Sequence, residues 1–475
     1  LREVAPTIDN GSVPHALELD ASRNAVREYG HEPRAASVVE LLRGSPFLGY
    51  SYAYPHKTAY RPFERVRAID EVWAEHDRSR LFLYVHVPFC AVRCGFCNLF
   101  TQKHPPAELP DAWLATLERQ LAIVARALPD ARFARWAIGG GTPTLLEAKA
   151  LARIVERLGA AWPIDLATTP GSVETSPETA TDDRLALLES IGTRRLSIGI
   201  QSFFAPELQA LGRPQAATLG EAALDRIRRH RFARLNIDLI YGIAGQTETS
   251  FVAALRRALD WQPEELYLYP LYQRPLTGLG LRGRSWDDQR AGLLAAGREF
   301  LLAHGYRQVS MRMFERIVDG GEGSGPAYCC QADGMIGLGV GARSYTPTLH
   351  YSDAWAVGAA GVRSIVADWI ARSDAQLGQV WYGIELSDEE QRRRWLIQSV
   401  LQHEGLVLAD YRARFGSEAE LDFASELRQL LDAGLLERDA ERLVPSAQGL
   451  AWSDAIGPWL YSEVVRIASQ EFELR

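Results

Sequence analysis

Cys90, Cys94 and Cys97 stand at C-x3-C-x2-C spacing, directly after the apolar run 81–89. That run reads as a buried strand, and Pro88 marks where it gives way to a loop. Three thiolates on one short loop can grip three corners of a four-iron, four-sulfur cube, which leaves the fourth iron open to a ligand that is not protein. Two other readings use the same residues. A Cys3His zinc site would add His86 and form a closed, structural centre. Three buried core cysteines are the second, but core packing gives no reason for this spacing.

Further along, Gly139-Gly140-Gly141-Thr142-Pro143 offers bare backbone to a ligand. It is no phosphate-binding P-loop, because no Gly-Lys-Ser/Thr follows. Glu174, Gln201, Arg213 and Asp238 are lone polar residues that end or interrupt apolar runs. A buried carboxylate or guanidinium needs a partner, so these four are either salt-bridge members or ligand contacts. Tyr84, ahead of the cysteines, and Phe96, between the second and third of them, offer stacking faces. Cys329 and Cys330 are adjacent; such pairs point apart on a strand, and a second cluster would need more ligands. The nominal dinucleotide pattern Gly337-x-Gly339-x-x-Ala342 lacks a following βαβ unit. The stretch 50–62 alternates aromatics and carries two prolines, so it forms no regular helix. It reads as an arm packed on the main domain, or as one that closes the site with Tyr52, Tyr54 and Tyr60 as stacking faces.

The elements that must position these residues alternate. Strands are expected at 81–89, 134–138, 166–174, 195–201, 235–241 and 265–269, with helices at 112–128, 145–158, 182–191, 219–230 and 250–261 between them. Sustained alternation means a parallel sheet, in which function gathers at the carboxyl ends of strands. Each motif above sits at such an end. Past about 370 the alternation stops. Helices at 387–402 and 417–433 and two short strands give a winged-helix-like pattern. The expected domains are an extended arm (1–78), a catalytic barrel (79–370) and a C-terminal winged-helix-like domain (371–475).

A chain of 475 residues, 47% hydrophobic and 24% charged, is that of a soluble globular protein of two or three domains. A net charge of −8 argues against nucleic-acid binding. No apolar run reaches membrane-spanning length. Five cysteines in this arrangement are no disulfide framework, and an oxygen-sensitive cluster requires a reducing compartment. A cytoplasmic monomer is expected.

The stretch 84–97, Tyr-Val-His-Val-Pro-Phe-Cys-Ala-Val-Arg-Cys-Gly-Phe-Cys, resembles the signature of the radical S-adenosylmethionine (SAM) enzymes, in the branch of oxygen-independent coproporphyrinogen III oxidase. The resemblance implies an α/β fold with a partial (β/α)6 barrel and a [4Fe-4S] cluster on Cys90, Cys94 and Cys97. SAM would chelate the open iron and yield a 5′-deoxyadenosyl radical, with flavodoxin or ferredoxin as electron donor. The resemblance carries Tyr84, Phe96, Gly140, Glu174 and Val309 to this SAM, and Gly141, Thr142, Gln201, Arg213 and Asp238 to a second one. The coproporphyrinogen oxidases have a further cysteine where Leu99 stands. The Tyr-rich arm and Gly95-Phe96-Cys97-Asn98-Leu99-Phe100 look more like the class C radical SAM methyltransferases of the thiopeptide thiazole type. The leading expectation is therefore methylation of an sp2 carbon in a small-molecule or peptide heteroaromatic acceptor, using two SAM molecules. The alternatives are oxidative decarboxylation of a porphyrinogen and a haem-binding or haem-delivery protein.

Overall fold

A computed structural model describes residues 35–213, 217–282, 288–318 and 329–474; the first part of the expected arm lies outside them. Strands β1 (Leu81–Val87), β2 (Phe133–Gly140), β3 (Gly171–Thr175), β4 (Arg195–Gln201), β5 (Arg234–Tyr241) and β6 (Glu265–Pro270) lie side by side in chain order, all parallel. Helices α1 (Leu109–Ala127), α2 (Ala148–Ala161), α3 (Asp182–Ser190), α4 (Ala217–Ile227), α5 (Glu248–Leu259) and α6 (Arg290–Ala303) follow them in turn. β7 (Met335–Leu338) comes back to pair in parallel with the free edge of β1. Antiparallel strands extend both edges, so the thirteen-stranded sheet is open, a partial barrel as the sequence implied.

Side chains alternate across a strand, and here the alternation separates core from site. Leu81, Leu83, Val85 and Val87 of β1, Leu196, Ile198 and Ile200 of β4, and Leu235, Ile237 and Leu239 of β5 are buried in one core with Leu117, Leu151, Leu224 and Leu255 of the helices. The opposite parity carries Tyr84 and His86, Glu174, Ser197, Gly199 and Gln201, Asn236 and Asp238, and Tyr267 and Tyr269. These face the inside of the partial barrel.

The C-terminal unit follows the expected winged-helix-like order. Helix Asp388–Val400 leads through strand Leu406–Val407 to helices Leu408–Phe415 and Ala424–Asp432, then to the hairpin Leu436–Asp439 and Arg442–Pro445. The helix expected over 417–433 is broken at Phe423, which leaves the helical region (φ −128°) and is buried in the unit's own core. The sheet does not stop at the limits drawn for the domains. Arg61–Ala68 and Gln379–Glu385 pair with each other at its edge, so the arm and the C-terminal stretch each give it a strand.

The arm is internal. Val38, Leu41, Tyr54 and Ala59 belong to the core of the C-terminal unit. Gln331 fixes the arm's backbone from both sides, accepting from Tyr54 N at 3.0 Å and donating to Tyr52 O at 3.1 Å. The Tyr54 hydroxyl donates to Glu390 and accepts from Ser462 N at 3.2 Å. Tyr54 is thus a core anchor and no stacking face. Tyr54→Phe leaves the buried Glu390 short of a donor and Ser462 N without its acceptor. A loss of about 1–3 kcal/mol is expected, read as a lower midpoint in urea unfolding. Among the described residues no helix is long and apolar enough to cross a membrane.

Candidate functional site

β1 runs directly into the cysteine loop, which is closed by a short parallel ladder between Phe89–Cys90 and Gln102–Lys103. His86 braces it. Its Nε2 lies 3.1 Å from Phe100 O, a group that can only accept, so Nε2 carries the hydrogen; Nδ1 then accepts from Tyr84 Oη at 3.2 Å. Burial holds this imidazole neutral, down at about 4. Both ring nitrogens are spent on protein, so His86 does not complete a Cys3His zinc site, and that reading falls. Among the described residues no three His, Cys, Asp or Glu side chains converge to hold a metal ion.

The three thiols are raised by burial, Cys97 to about 12, and the charge each would carry opposes the others. They call for a cationic group wide enough to reach sulfurs that do not meet at one point. A four-iron cube satisfies both conditions and a single ion only the first. Thr142 Oγ1 stands 3.6 Å from Cys90 Sγ and Arg213 Nη1 3.7 Å from Cys94 Sγ, two donors aimed at sulfur.

The glycine motif is a strap pressed on this loop. Gly141 N donates to Val87 O at 2.8 Å and Thr142 N to Phe89 O at 2.7 Å. A β-carbon on Gly141 would lie 2.3 Å from Phe89 O, and one on Gly140, itself at φ +114°, 2.7 Å from the His86 ring. Glu174 accepts from Gly140 N at 3.0 Å. Its carboxylate faces the interior of the barrel, and that enclosure pushes it up to about 7.

Gln201, Arg213 and Asp238 ring Gly199. Asp238 is the register partner of Gly199 on the next strand. A β-carbon on Gly199 would sit 2.5 Å from Gln201 Nε2 and 3.7 Å from Arg213 Nη1. Gln201 takes φ +70° to fold back there. Asn236 Nδ2 donates to Asp238 Oδ1 and to Ser197 Oγ, each at 2.7 Å, while burial pushes Asp238 up to about 6. Phe96 packs on Leu211, Ile240, Ile243 and Leu271. The Val309 carbonyl accepts from His403 N of the C-terminal unit at 2.9 Å.

Several residues of this interior escaped the sequence reading. Gly95 is pinned through N to Leu211 O at 3.0 Å and through O to Leu279 N at 2.7 Å, with no room for a β-carbon. Arg195 pairs with Glu265 at 2.6 Å below Asp238. Tyr50 covers the guanidinium of Arg312 at 3.6 Å, and Arg312 Nη1 bonds Asp454 Oδ1 at 2.8 Å. The inward parity of β4 was a signal for Arg195; the Arg312–Asp454 pair, 142 residues apart, left none.

Comparison with known proteins places these features in a family context. Residues 84–258 match the radical SAM superfamily and residues 386–452 the HemN C-terminal domain. The oxygen-independent coproporphyrinogen III oxidase of Pseudomonas aeruginosa is 27% identical over 437 residues, which are 86% of this chain and 91% of the relative. The heme chaperone HemW of Mycobacterium tuberculosis is 31% identical over 235 residues, 49% of this chain and 58% of the relative. The solved coproporphyrinogen III oxidase (HemN) of Escherichia coli superposes with a TM-score of 0.74 at 24% identity, covering 90% of this chain and 99% of that one, which shows the shared fold. These relatives overturn the class C methyltransferase expectation, because the near-full-length alignment runs to an oxidase. One feature behind that expectation also weakens: Tyr54 of the Tyr-rich arm is buried core.

Proposed function

For this radical SAM protein of the HemN-like branch, we propose oxidative decarboxylation of a propionate side chain on a porphyrinogen-type tetrapyrrole. The observation that carries the reading is co-linearity with the Pseudomonas oxidase over 91% of that protein's length.

Cys90, Cys94 and Cys97 would hold the cluster. Glu174 and Gly140 would take the amino-acid end of the first SAM, with Tyr84, Phe96 and Val309 beside it. We assign Gly141, Thr142, Gln201, Arg213 and Asp238 to a second SAM; the last three ring Gly199 next to Cys94. When bound, cluster and SAM supply the one-electron chemistry that removes a hydrogen atom from an unactivated carbon, given an external donor such as flavodoxin or ferredoxin. The chain's part is to hold the propionate's β-carbon there and keep water away. Tyr50 and Tyr52 from the arm and Tyr267 and Tyr269 from β6 provide that aromatic wall. Loss of that hydrogen atom, which takes one electron with it, and then of the carboxylate as carbon dioxide would leave a vinyl group and release one further electron to an external one-electron acceptor.

Anaerobically reconstituted protein, given coproporphyrinogen III, SAM and a reductant, should release carbon dioxide and form a vinyl-bearing product in step with SAM consumption. SAM consumption without carbon dioxide would sink the proposal. Stoichiometric retention of haem without turnover would favour a chaperone role.

A further inference from the structure

One group of buried donors serves neither the cysteines nor the residues assigned to SAM. It lies between the arm, the strand Arg343–Tyr345 and the C-terminal unit. The Arg343 guanidinium stands 4.9 Å from the ring centroid of Tyr52, and its Nη1 is buried with no hydrogen-bond partner. Its strongest ionisable neighbours are the phenols of Tyr345, Tyr52 and Tyr60, and it donates a hydrogen bond to Tyr52. Tyr60 is fully buried and its hydroxyl, too, has no partner. Arg394, 2% exposed, donates through Nη1 to Pro347 O and His350 Nε2, each at 3.2 Å, and has no ion pair among the described residues. His350 leaves Nδ1 unpartnered and rests 4.4 Å from the Tyr345 ring centroid. Lys57 and Arg274 add positive charge on the same side, for both act on His56 together with Arg343.

Elsewhere in this protein buried guanidiniums have acidic partners: Arg312 has Asp454 and Arg195 has Glu265. A buried charge with no counter-charge is expensive. A surplus of aimed donors around Arg343 therefore marks a place for an anion that arrives from outside. Gly337 is the register partner of Tyr84, and a β-carbon on Gly337 would lie 2.1 Å from Arg343 O on the next strand, so Arg343 stands two strands from Tyr84 across the same sheet as the reaction site. A planar guanidinium flanked by phenols suits a two-point hold on a carboxylate.

We propose that Arg343, with Tyr52, Tyr60 and Arg394 around it, is a receptor for a carboxylate of the substrate that sets the substrate's orientation in the barrel. The identity of that substrate as a propionate-bearing tetrapyrrole rests on the reading above; the receptor itself does not.

The test uses the full chain, reconstituted anaerobically, with coproporphyrin III as a stable four-carboxylate probe and its tetramethyl ester as the control. The acid should bind at least tenfold more tightly than the ester. Arg343→Met should bring the acid down to the ester's affinity with iron content unchanged, Arg343→Lys should restore part of it, and Tyr60→Phe should weaken it severalfold. Equal binding of acid and ester, or wild-type affinity in Arg343→Met, overturns the receptor. Should Arg343→Met not fold, wild-type affinity in both Arg343→Lys and Tyr60→Phe does the same. A small probe, 3-phenylpropionate, separates the two ideas. If coproporphyrin does not bind but 3-phenylpropionate raises the melting temperature in an Arg343-dependent way, the receptor stands and the tetrapyrrole falls. If neither binds, or if inorganic phosphate protects as well as the carboxylate, the receptor assignment is wrong.

Discussion

Replacing any one of Cys90, Cys94 or Cys97 by alanine is expected to lower reconstituted iron from about four per chain to almost none and to abolish SAM cleavage. Each thiol is raised by burial, and Cys90 and Cys97 also by the charge of neighbouring cysteines, so a cationic group among them is what favours the thiolates. With one removed, two sulfurs would have to retain a cube that no nearby side chain helps to grip: His86 is committed through both ring nitrogens to Phe100 O and Tyr84 Oη. Cys329→Ala and Cys330→Ala are the controls and should keep their iron. Cys329 Sγ bonds Gln398 Oε1 at 2.9 Å, away from the loop. Iron and sulfide analysis with the visible absorbance of the reduced and oxidised protein reads the result. A loop variant that still held four irons would remove the cluster assignment.

Asp454→Ala should cost the protein about 3–5 kcal/mol, the largest single-residue loss of stability expected here. Arg312 and Asp454 are 3% and 1% exposed in their side chains, and the pair joins the barrel to the C-terminal unit. Without the carboxylate the Arg312 guanidinium stays buried and uncompensated. Tyr272, which donates to Asp454, loses its acceptor as well. Tyr50 rests on Arg312, so the interior wall should loosen along with the interface. Replacing both partners with apolar residues, Arg312→Met with Asp454→Leu, should recover most of the loss. Guanidinium denaturation measures it; a change within about 0.5 kcal/mol for Asp454→Ala would mean the pair is not the buried contact described.

How much of this was legible in the sequence depended on distance along the chain. The β-α alternation was enough to put Gln201 and Asp238 at the ends of neighbouring strands, and most strands came out close to their expected limits; the one expected over 166–174 starts only at Gly171, because Asp165 folds the preceding residues into a turn, accepting from Ala167 N and Thr169 N. The cysteine spacing and the glycine strap are local patterns, so the loop could be recognised from 84–97 and 139–143 alone. Tyr54 stayed open between a packed arm and a stacking face because what decides its role, Glu390 and Ser462, arrives 336 and 408 residues later. Gly95 carried no role in the sequence reading; only Leu211 and Leu279 show why it must be bare. Leu99 weighed in the functional reading for what it replaced, and one position in the loop could not outweigh similarity along most of the chain.

The clasp on the arm has a consequence for how the molecule is made. Tyr52 and Tyr54 leave the ribosome early, yet Gln331 and Ser462 must both be synthesised before the arm can be seated. Contacts this distant in sequence form slowly, because the loop they close must be ordered first. The barrel strands can pair while translation continues, but the wall formed by Tyr50 and Tyr52 completes last. A nascent chain would thus reach its cluster-bearing loop with that side still open, leaving a period in which iron and sulfide can be loaded before the interior is sealed.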